Sequence, residues 1–164
     1  MLLDIIKTRR SVRSFQNTPV EEDKIIELID CARLAPSARN LQPWKFVVVT
    51  DQETLDTLSK FLDTGRFISE APLCIAVFCQ DTKYFLEDGC AATMNILLAA
   101  ESLGLGTCWI AGDKKDYREA VQKLLGAPES CRLVSLIAAG YPKGSPGKKQ
   151  KKKLDEVICR ERYQ

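Results

Sequence analysis

The chain has no histidine among its 164 residues. Ser-His-Asp and Cys-His catalysis, zinc sites built on histidine, and an imidazole acid or base are therefore excluded. Its seven cysteines form no C-x-x-C pair, so paired-cysteine zinc sites and a thioredoxin-type motif are unsupported, and we expect no metal. If the chain is an enzyme, a bound cofactor is expected to supply the reactive centre.

Long hydrophobic runs are also missing. A helix that spans a bilayer needs roughly 18 apolar residues, whereas the most apolar stretch, residues 90–100, is interrupted by Thr93 and Asn95. The first ten residues, MLLDIIKTRR, carry charges where a secretory signal needs an uncharged core. We therefore expect no membrane partner, and a single cytoplasmic domain whose odd number of cysteines stays reduced.

Positive charge is concentrated at the C-terminus. Residues 143–164 contain eight lysines and arginines against three acids, including the run KKQKKK at 148–153. Such a tail binds a phosphate, a membrane surface or nucleic acid, or it is simply solvated. Because no aromatic residue lies among the lysines, nucleic acid is not the favoured partner. We divide the chain into one domain over 1–142 and a basic tail over 143–164.

Hydrophobic periodicity and turn residues predict five helices and four strands. In the first helix, Leu2, Leu3, Ile5 and Ile6 are expected to face inward. The alternation of elements indicates a three-layer α/β sandwich. The apolar strands favour parallel pairing, although the connections leave the pairing open. The expected helices cover residues 2–10, about 21–35, 52–62, 85–103 and 114–125, and the expected strands cover 46–49, 73–79, 107–111 and 133–139.

Three arginines surround a serine at the end of the first predicted helix: Arg9, Arg10 and Arg13, with Ser11 between them. On a helix, Arg9 and Arg13 share a face, so their charges repel unless an anion lies between them. Guanidinium groups donate paired hydrogen bonds to phosphate oxygens, and a hydroxyl adds another donor. These residues therefore fit either a phosphate monoester or a solvated basic helix end.

The segment A-P-S-A-R-N-L-Q-P-W at 35–44 is a polar loop that leads directly into a predicted strand. Its prolines restrict the backbone, and rigid loops beside a sheet are where ligands are positioned. Ser37, Asn40 and Gln42 offer neutral donors and acceptors that suit a heteroaromatic edge or a sugar chain. The alternative is a structural turn that seats Trp44 in the core.

The segment G-L-G-T-C-W-I-A-G at 104–112 combines a helix cap with a strand. It is not a dinucleotide-binding fingerprint, because G-x-G-x-x-G requires a glycine where Trp109 stands. Glycine at position 112 lets backbone N–H groups approach a flat ligand closely. The alternative is a strand with no further role.

Together these segments resemble the nitroreductase family of flavin-dependent oxidoreductases over nearly the whole chain. The shared pattern is R-R-S-x-R at 9–13, A-P-S-x-x-N-x-Q-P-W at 35–44, G-L-G-x-C-W-I-x-G at 104–112, and a strand that ends in Gly-Tyr-Pro at 142. The resemblance implies an α+β fold, a three-layer sandwich with a mainly antiparallel sheet, and FMN bound at a homodimer interface. It replaces the parallel pairing that hydrophobic periodicity favours.

The resemblance also implies how FMN is held. The arginines and serine of the first helix are expected at its phosphate, with Arg13 nearer the ribityl chain and ring. Two tail lysines are expected to reach the phosphate, although the family usually has arginine at the second of these positions. The backbone of 109–112 is expected along the ring, with one N–H directed at the flavin N5, and the loop at 36–40 comes from the other subunit. The expected cofactor-binding residues are Arg9, Arg10, Ser11, Arg13, Pro36, Ser37, Ala38, Asn40, Gln42, Trp109, Ile110, Ala111, Gly112, Lys149 and Lys151.

The helix expected at 85–103 also points to a homodimer. It is apolar around most of its circumference, with small residues such as Ala91 and Ala99 and large ones such as Leu97 and Leu98. One sheet face is too narrow to cover so wide an apolar surface, so a second subunit is expected against it.

The function implied is an FMN-dependent oxidoreductase that passes electrons from NADH or NADPH to a small aromatic acceptor, such as a nitroaromatic compound or a quinone. Flavin N5 is then the reactive centre, and no side chain has to act as acid or base. Donor and acceptor would use one site in turn, which is a ping-pong mechanism. Two alternatives remain: a non-catalytic flavin-binding or nucleic-acid-associated protein that uses the lysine-rich tail, and a dehalogenase-type flavin enzyme.

Overall fold

A computed structural model describes residues 2–147 and 149–163. A four-stranded sheet lies between two layers of helices, which confirms the α+β, three-layer expectation. Short 3-10 turns occur at Ala38–Asn40 and Arg66–Glu70. No helix in the described part of the chain is both long and apolar enough to cross a membrane. The helices are α1 (Leu2–Thr8), α2 (Glu22–Arg33), α3 (Gln52–Phe61), α4 (Phe85–Ser102) and α5 (Arg118–Leu124), and the strands are β1 (Trp44–Val49), β2 (Leu73–Gln80), β3 (Gly106–Ala111) and β4 (Cys131–Gly140).

All pairings between the four strands are antiparallel, in the order β1-β2-β4-β3. The antiparallel sheet expected from the family resemblance is confirmed, and the parallel pairing favoured by hydrophobic periodicity is wrong. The central strand β2 is buried at seven consecutive residues because helices cover both faces of the sheet. Burial on two faces produces the uninterrupted apolar run that is typical of parallel strands. The strand order also puts β1 and β3 at opposite edges.

Each face of the sheet packs against its own helices. Ile75 and Val77 of β2 belong to the core formed with α2 and α4, whereas Cys74 and Ala76 belong to the core formed with α3 and α5. This alternation is the ordinary consequence of successive strand side chains pointing to opposite faces. Trp44 lies in the first core, so the structural role considered for it is confirmed.

The first helix differs from expectation in length and in orientation. It ends at Thr8 rather than at residue 10. Beyond the helix, the Arg10 guanidinium donates to the carbonyls of Lys7 and Arg9, each at 2.8 Å. Leu2 and Ile6 are 64% and 50% exposed, and Leu3 is exposed as well. The expectation that these side chains face inward is therefore wrong within one chain, because α1 contacts α4 but these three side chains remain exposed.

The last helix begins four residues later than expected, at Arg118 rather than residue 114. Side-chain contacts hold the preceding residues in turns. The Asp113 carboxylate accepts a hydrogen bond of 3.1 Å from Arg132, and the Tyr117 hydroxyl donates to the Ala111 carbonyl. These contacts tie the connection after β3 to the sheet and prevent an earlier helical start.

Candidate functional site

The R-R-S-x-R segment runs from the end of α1 along the outer edge of β3. The Val12 N–H donates to the Thr107 carbonyl at 2.9 Å, and Ser11 forms a single parallel bridge with Thr107. Val12 is buried, and a Cβ added at Gly106 would lie 2.6 Å from its Cγ2 atom. Glycine at position 106 therefore allows this close approach. The buried valine anchors the segment, while Ser11 and Arg13 on either side of it stay exposed.

A pocket of 570 Å³ forms where this segment, α4 and the tail meet. It brings together all four predicted residues of the first motif and both predicted tail lysines. Six of its lining residues are cationic and none is a carboxylate, so an anion bound there would relieve the mutual repulsion of these charges. The sequence analysis missed Lys7 and Met94, since neither belongs to a motif. The lining residues are Ile6, Lys7, Arg9, Arg10, Ser11, Arg13, Met94, Gly147, Lys149 and Lys151.

The arginines of the pocket differ in what they contact. One Arg10 nitrogen is engaged with the carbonyls that close α1, so Arg10 fixes the backbone as well as lining the pocket. The Arg13 guanidinium lies 5.9 Å from the centre of the Phe67 ring, within the range of a cation–π contact. Lys143, which the motifs did not indicate, lines an adjoining pocket with Ser11, Arg13 and Lys149. Lys148 lies outside the described residues.

Beneath the pocket, Cys108 is buried next to Ser11. Burial raises the pKa of the Cys108 thiol, and the charges of Arg13 and Arg9 together with a hydrogen bond from Ser11 offset that effect only in part. The thiol therefore stays protonated near neutral pH and is not an activated nucleophile. This agrees with a site in which the chemistry belongs to a cofactor.

The outer edge of β3 presents main-chain groups from alternate residues. Thr107 accepts from Val12 on that edge, whereas the Gly112 N–H donates inward to the Val134 carbonyl at 3.1 Å. By this alternation the amides of Trp109 and Ala111 face the open edge, and those of Ile110 and Gly112 face β4. A Cβ at Gly112 would lie 2.8 Å from the Leu133 carbonyl oxygen, so close packing against β4 requires this glycine.

The loop before β1 is folded on itself. The Ser37 hydroxyl accepts from the Gln42 N–H at 3.0 Å, and the Gln42 amide nitrogen donates to the Asn40 side-chain oxygen at 3.2 Å. Arg39, Asn40 and Gln42 have φ values of 54°, 55° and 48°, a region that residues with side chains rarely adopt. Strained conformations of this kind cluster at functional sites.

Within one chain, the predicted residues form two separate groups. Residues 9–13 and 109–112 lie at the β3 edge, and the tail lysines join 9–13 there. The loop 36–42 precedes β1, at the opposite edge of the sheet. Three strand spacings, about 14 Å in all, separate the two edges. None of the loop residues 36–42 lines the pocket beside β3.

Comparison with known proteins gives a consistent picture. The family model described as "Nitroreductase family" matches residues 6–73 and 64–141. A protein of Archaeoglobus fulgidus named as an NADH dehydrogenase/NAD(P)H nitroreductase is 39% identical over 149 residues, covering 86% of this chain and 85% of its own. An iodotyrosine deiodinase of Thermotoga neapolitana is 31% identical over 186 residues, covering 98% of this chain and 97% of its own.

A solved structure is similar over the full fold. The FMN-dependent nitroreductase of Clostridium difficile R20291 superposes with a TM-score of 0.90 at 29% sequence identity. The match covers 98% of this chain and 99% of that one, so the sheet and both helical layers have counterparts there.

Proposed function

Because the chain belongs to the nitroreductase family, we propose that it is a homodimeric FMN-dependent oxidoreductase that passes electrons from NADH or NADPH to a small aromatic acceptor, such as a nitroaromatic compound or a quinone. The observation that carries this proposal is the pocket beside β3, whose six cationic residues and one serine match a phosphate dianion. Bound FMN would supply the hydride chemistry, taking a hydride at N5 and passing electrons on.

The chain's own residues would bind and orient the cofactor. Arg9, Ser11, Lys149 and Lys151 would hold the phosphate, with Arg10 bracing the backbone between them. Arg13 would place positive charge near the ring, where it stabilises negative charge that develops on reduction. The outward amides of Trp109 and Ala111 are the β3 donors available to a ring lying along that edge.

The homodimer is proposed because a single chain places the predicted loop residues at the β1 edge of the sheet, apart from the other predicted residues at the β3 edge. The partner subunit's loop 36–42 would complete the site. An apolar strip on α4, consisting of Ala91, Met94 and Leu98, is only half-buried by its own chain, and α1 presents exposed leucines and isoleucine. Permanent dimers usually bury upwards of about 2,000 Å² in total, and these surfaces are the candidates.

We further propose that residues 143–164 form an arm that joins the cofactor to the partner subunit. The arm is tied at its base, where the Lys143 N–H donates to the Ser14 carbonyl at 3.0 Å. Beyond the pocket lysines it exposes Leu154, Val157 and Ile158, an apolar group that a second subunit would cover.

A cytoplasmic location is proposed from the cysteines. Four of the cysteines, Cys74, Cys79, Cys108 and Cys131, are buried free thiols. Burial raises the pKa of Cys74 and of Cys79 to about 12, so both remain protonated and unreactive. Buried free thiols suit a reducing compartment.

Steady-state kinetics test the oxidoreductase proposal. With donor and acceptor using one flavin face in turn, double-reciprocal plots at several acceptor concentrations should be parallel, as expected of a ping-pong mechanism. The rate is measured as NADH or NADPH oxidation with a quinone acceptor. Intersecting lines would mean that both substrates bind together, and they would contradict the shared site.

The Thermotoga neapolitana relative supports a second candidate, reductive dehalogenation. The same FMN site would serve both reactions, and the substrate would differ. Release of iodide from 3-iodotyrosine under reducing conditions, faster than reduction of a quinone, would favour this candidate over the first.

A further inference from the structure

Asp88 is a buried acid that the FMN pocket does not use. It lies in the first turn of α4 and is 5% exposed. Its Oδ1 atom accepts a hydrogen bond of 2.8 Å from the Ala38 N–H. Its Oδ2 atom is buried and has no hydrogen-bond partner among the described residues. Burying a carboxylate with one oxygen unbonded costs free energy of folding. The contact between Asp88 and the loop is therefore a candidate for a functional role.

The loop that Asp88 contacts is the strained one. Three of its residues, Arg39, Asn40 and Gln42, have positive φ, and their mutual hydrogen bonds are local to the loop. Asp88 adds a side-chain anchor from outside, fifty positions along the chain. A charged acceptor makes a stronger hydrogen bond to an N–H than a neutral one.

The anchor stands on a rigid support. Gly89, next to Asp88, packs so closely on the sheet that an added Cβ would lie 2.6 Å from Val134 Cγ2 and 3.0 Å from the Cys79 sulfur. The first turn of α4 therefore cannot shift without moving β2 and β4. The position near a helix N-terminus also favours a carboxylate.

We propose that Asp88 is a positioning residue that holds loop 37–42 in the strained shape needed to contact the flavin of the partner subunit. The role of the loop in contacting flavin rests on the proposed function. The restraint of the loop by Asp88 rests on the hydrogen bond between Asp88 and Ala38 within this chain. Because Ala38 N–H binds a single carboxylate oxygen, asparagine at position 88 retains an acceptor of the same shape, whereas alanine removes it.

Two measurements on the full chain test the proposal. The first is trypsin cleavage of the Arg39–Asn40 bond, followed by mass spectrometry with and without added FMN, since Arg39 is exposed. The second is the dissociation constant of FMN from flavin fluorescence. The variants are Asp88→Ala, Asp88→Asn and a matched control, Thr93→Val. Thr93 is also a buried polar residue of α4, but its hydroxyl bonds to Gly89 and Ser135 rather than to the loop.

Asp88→Ala should speed cleavage at Arg39 and weaken FMN binding, each at least tenfold, and Asp88→Asn should restore most of both. Thr93→Val should lower thermal stability while leaving both readouts within twofold of the unmodified protein. Unchanged cleavage and FMN affinity in Asp88→Ala would overturn the proposal, and so would equal effects in Thr93→Val. If the unmodified protein binds no FMN, yet Asp88→Ala still exposes Arg39, the hold on the loop stands and the proposed function fails.

Discussion

Replacing Leu98 with aspartate is expected to dissociate the dimer and to empty the flavin site in the same step. Leu98 lies half-buried on α4, in line with Ala91 and Met94 at helical spacing. If a partner covers this strip, aspartate would place an unpaired charge in the interface, at a cost of about 3 kcal/mol or more. That corresponds to a dissociation constant raised roughly a hundredfold or more. Light scattering gives the mass, and absorbance of the same sample gives the flavin content.

The control is Leu124→Asp on α5, which is 38% exposed on the opposite helical layer. It introduces the same charge at a leucine that is more exposed than Leu98 and should leave mass and flavin unchanged. Leu97 is unsuitable, because it is 4% exposed in the core of its own chain and a charge there would unfold the subunit. A fully dimeric, flavin-loaded Leu98→Asp protein would refute the interface.

The second large effect concerns the phosphate. Changing Arg9 and Arg13 together to alanine should weaken FMN binding at least about tenfold more than riboflavin binding, because Arg9 would bond to the phosphate and a hydrogen bond to a charged group contributes about 1.5–3 kcal/mol. Riboflavin lacks the phosphate, so it should lose only the contribution of Arg13 near the ring, less than about tenfold. Both affinities are measured by fluorescence titration.

The matched control removes two positive charges elsewhere, with Arg118→Ala and Lys123→Ala on α5. If long-range attraction alone drew FMN to the protein, this control would weaken FMN as much as the double arginine change does. Equal losses for FMN and riboflavin in the arginine variant would contradict the phosphate assignment.

The sequence predicted the helices and strands better than their arrangement. Periodicity located all five helices and four strands because each has an apolar face or run of its own. The same pattern did not predict the direction of strand pairing, because β2 is covered on both faces and has the continuous apolar sequence typical of a parallel strand. The inward face assigned to α1 was wrong for a related reason: apolar side chains indicate burial, but not whether the same chain provides it.

The residues of the candidate site were predictable, but their separation between two edges of the sheet was not. The first motif identified the arginines, and the family resemblance implied the tail lysines, that the structure gathers in one pocket. Strand order, which separates the loop from that pocket, depends on pairings between distant residues. Asp88 was overlooked because an acid at a helix start, here next to Glu87, ordinarily indicates a favourable charge near the helix N-terminus. Its burial and its contact with Ala38 emerge only from the fold.

The visible absorption spectrum of the purified protein, recorded without oxygen before and after NADH or NADPH, tests the central claim most directly. An FMN-dependent oxidoreductase is expected to purify yellow, or to become yellow and stay so after FMN addition and dialysis. One or both nicotinamides should then bleach the flavin band within seconds, and a quinone should restore it. A protein that retains no flavin, or whose bound flavin neither nicotinamide reduces, would contradict the account.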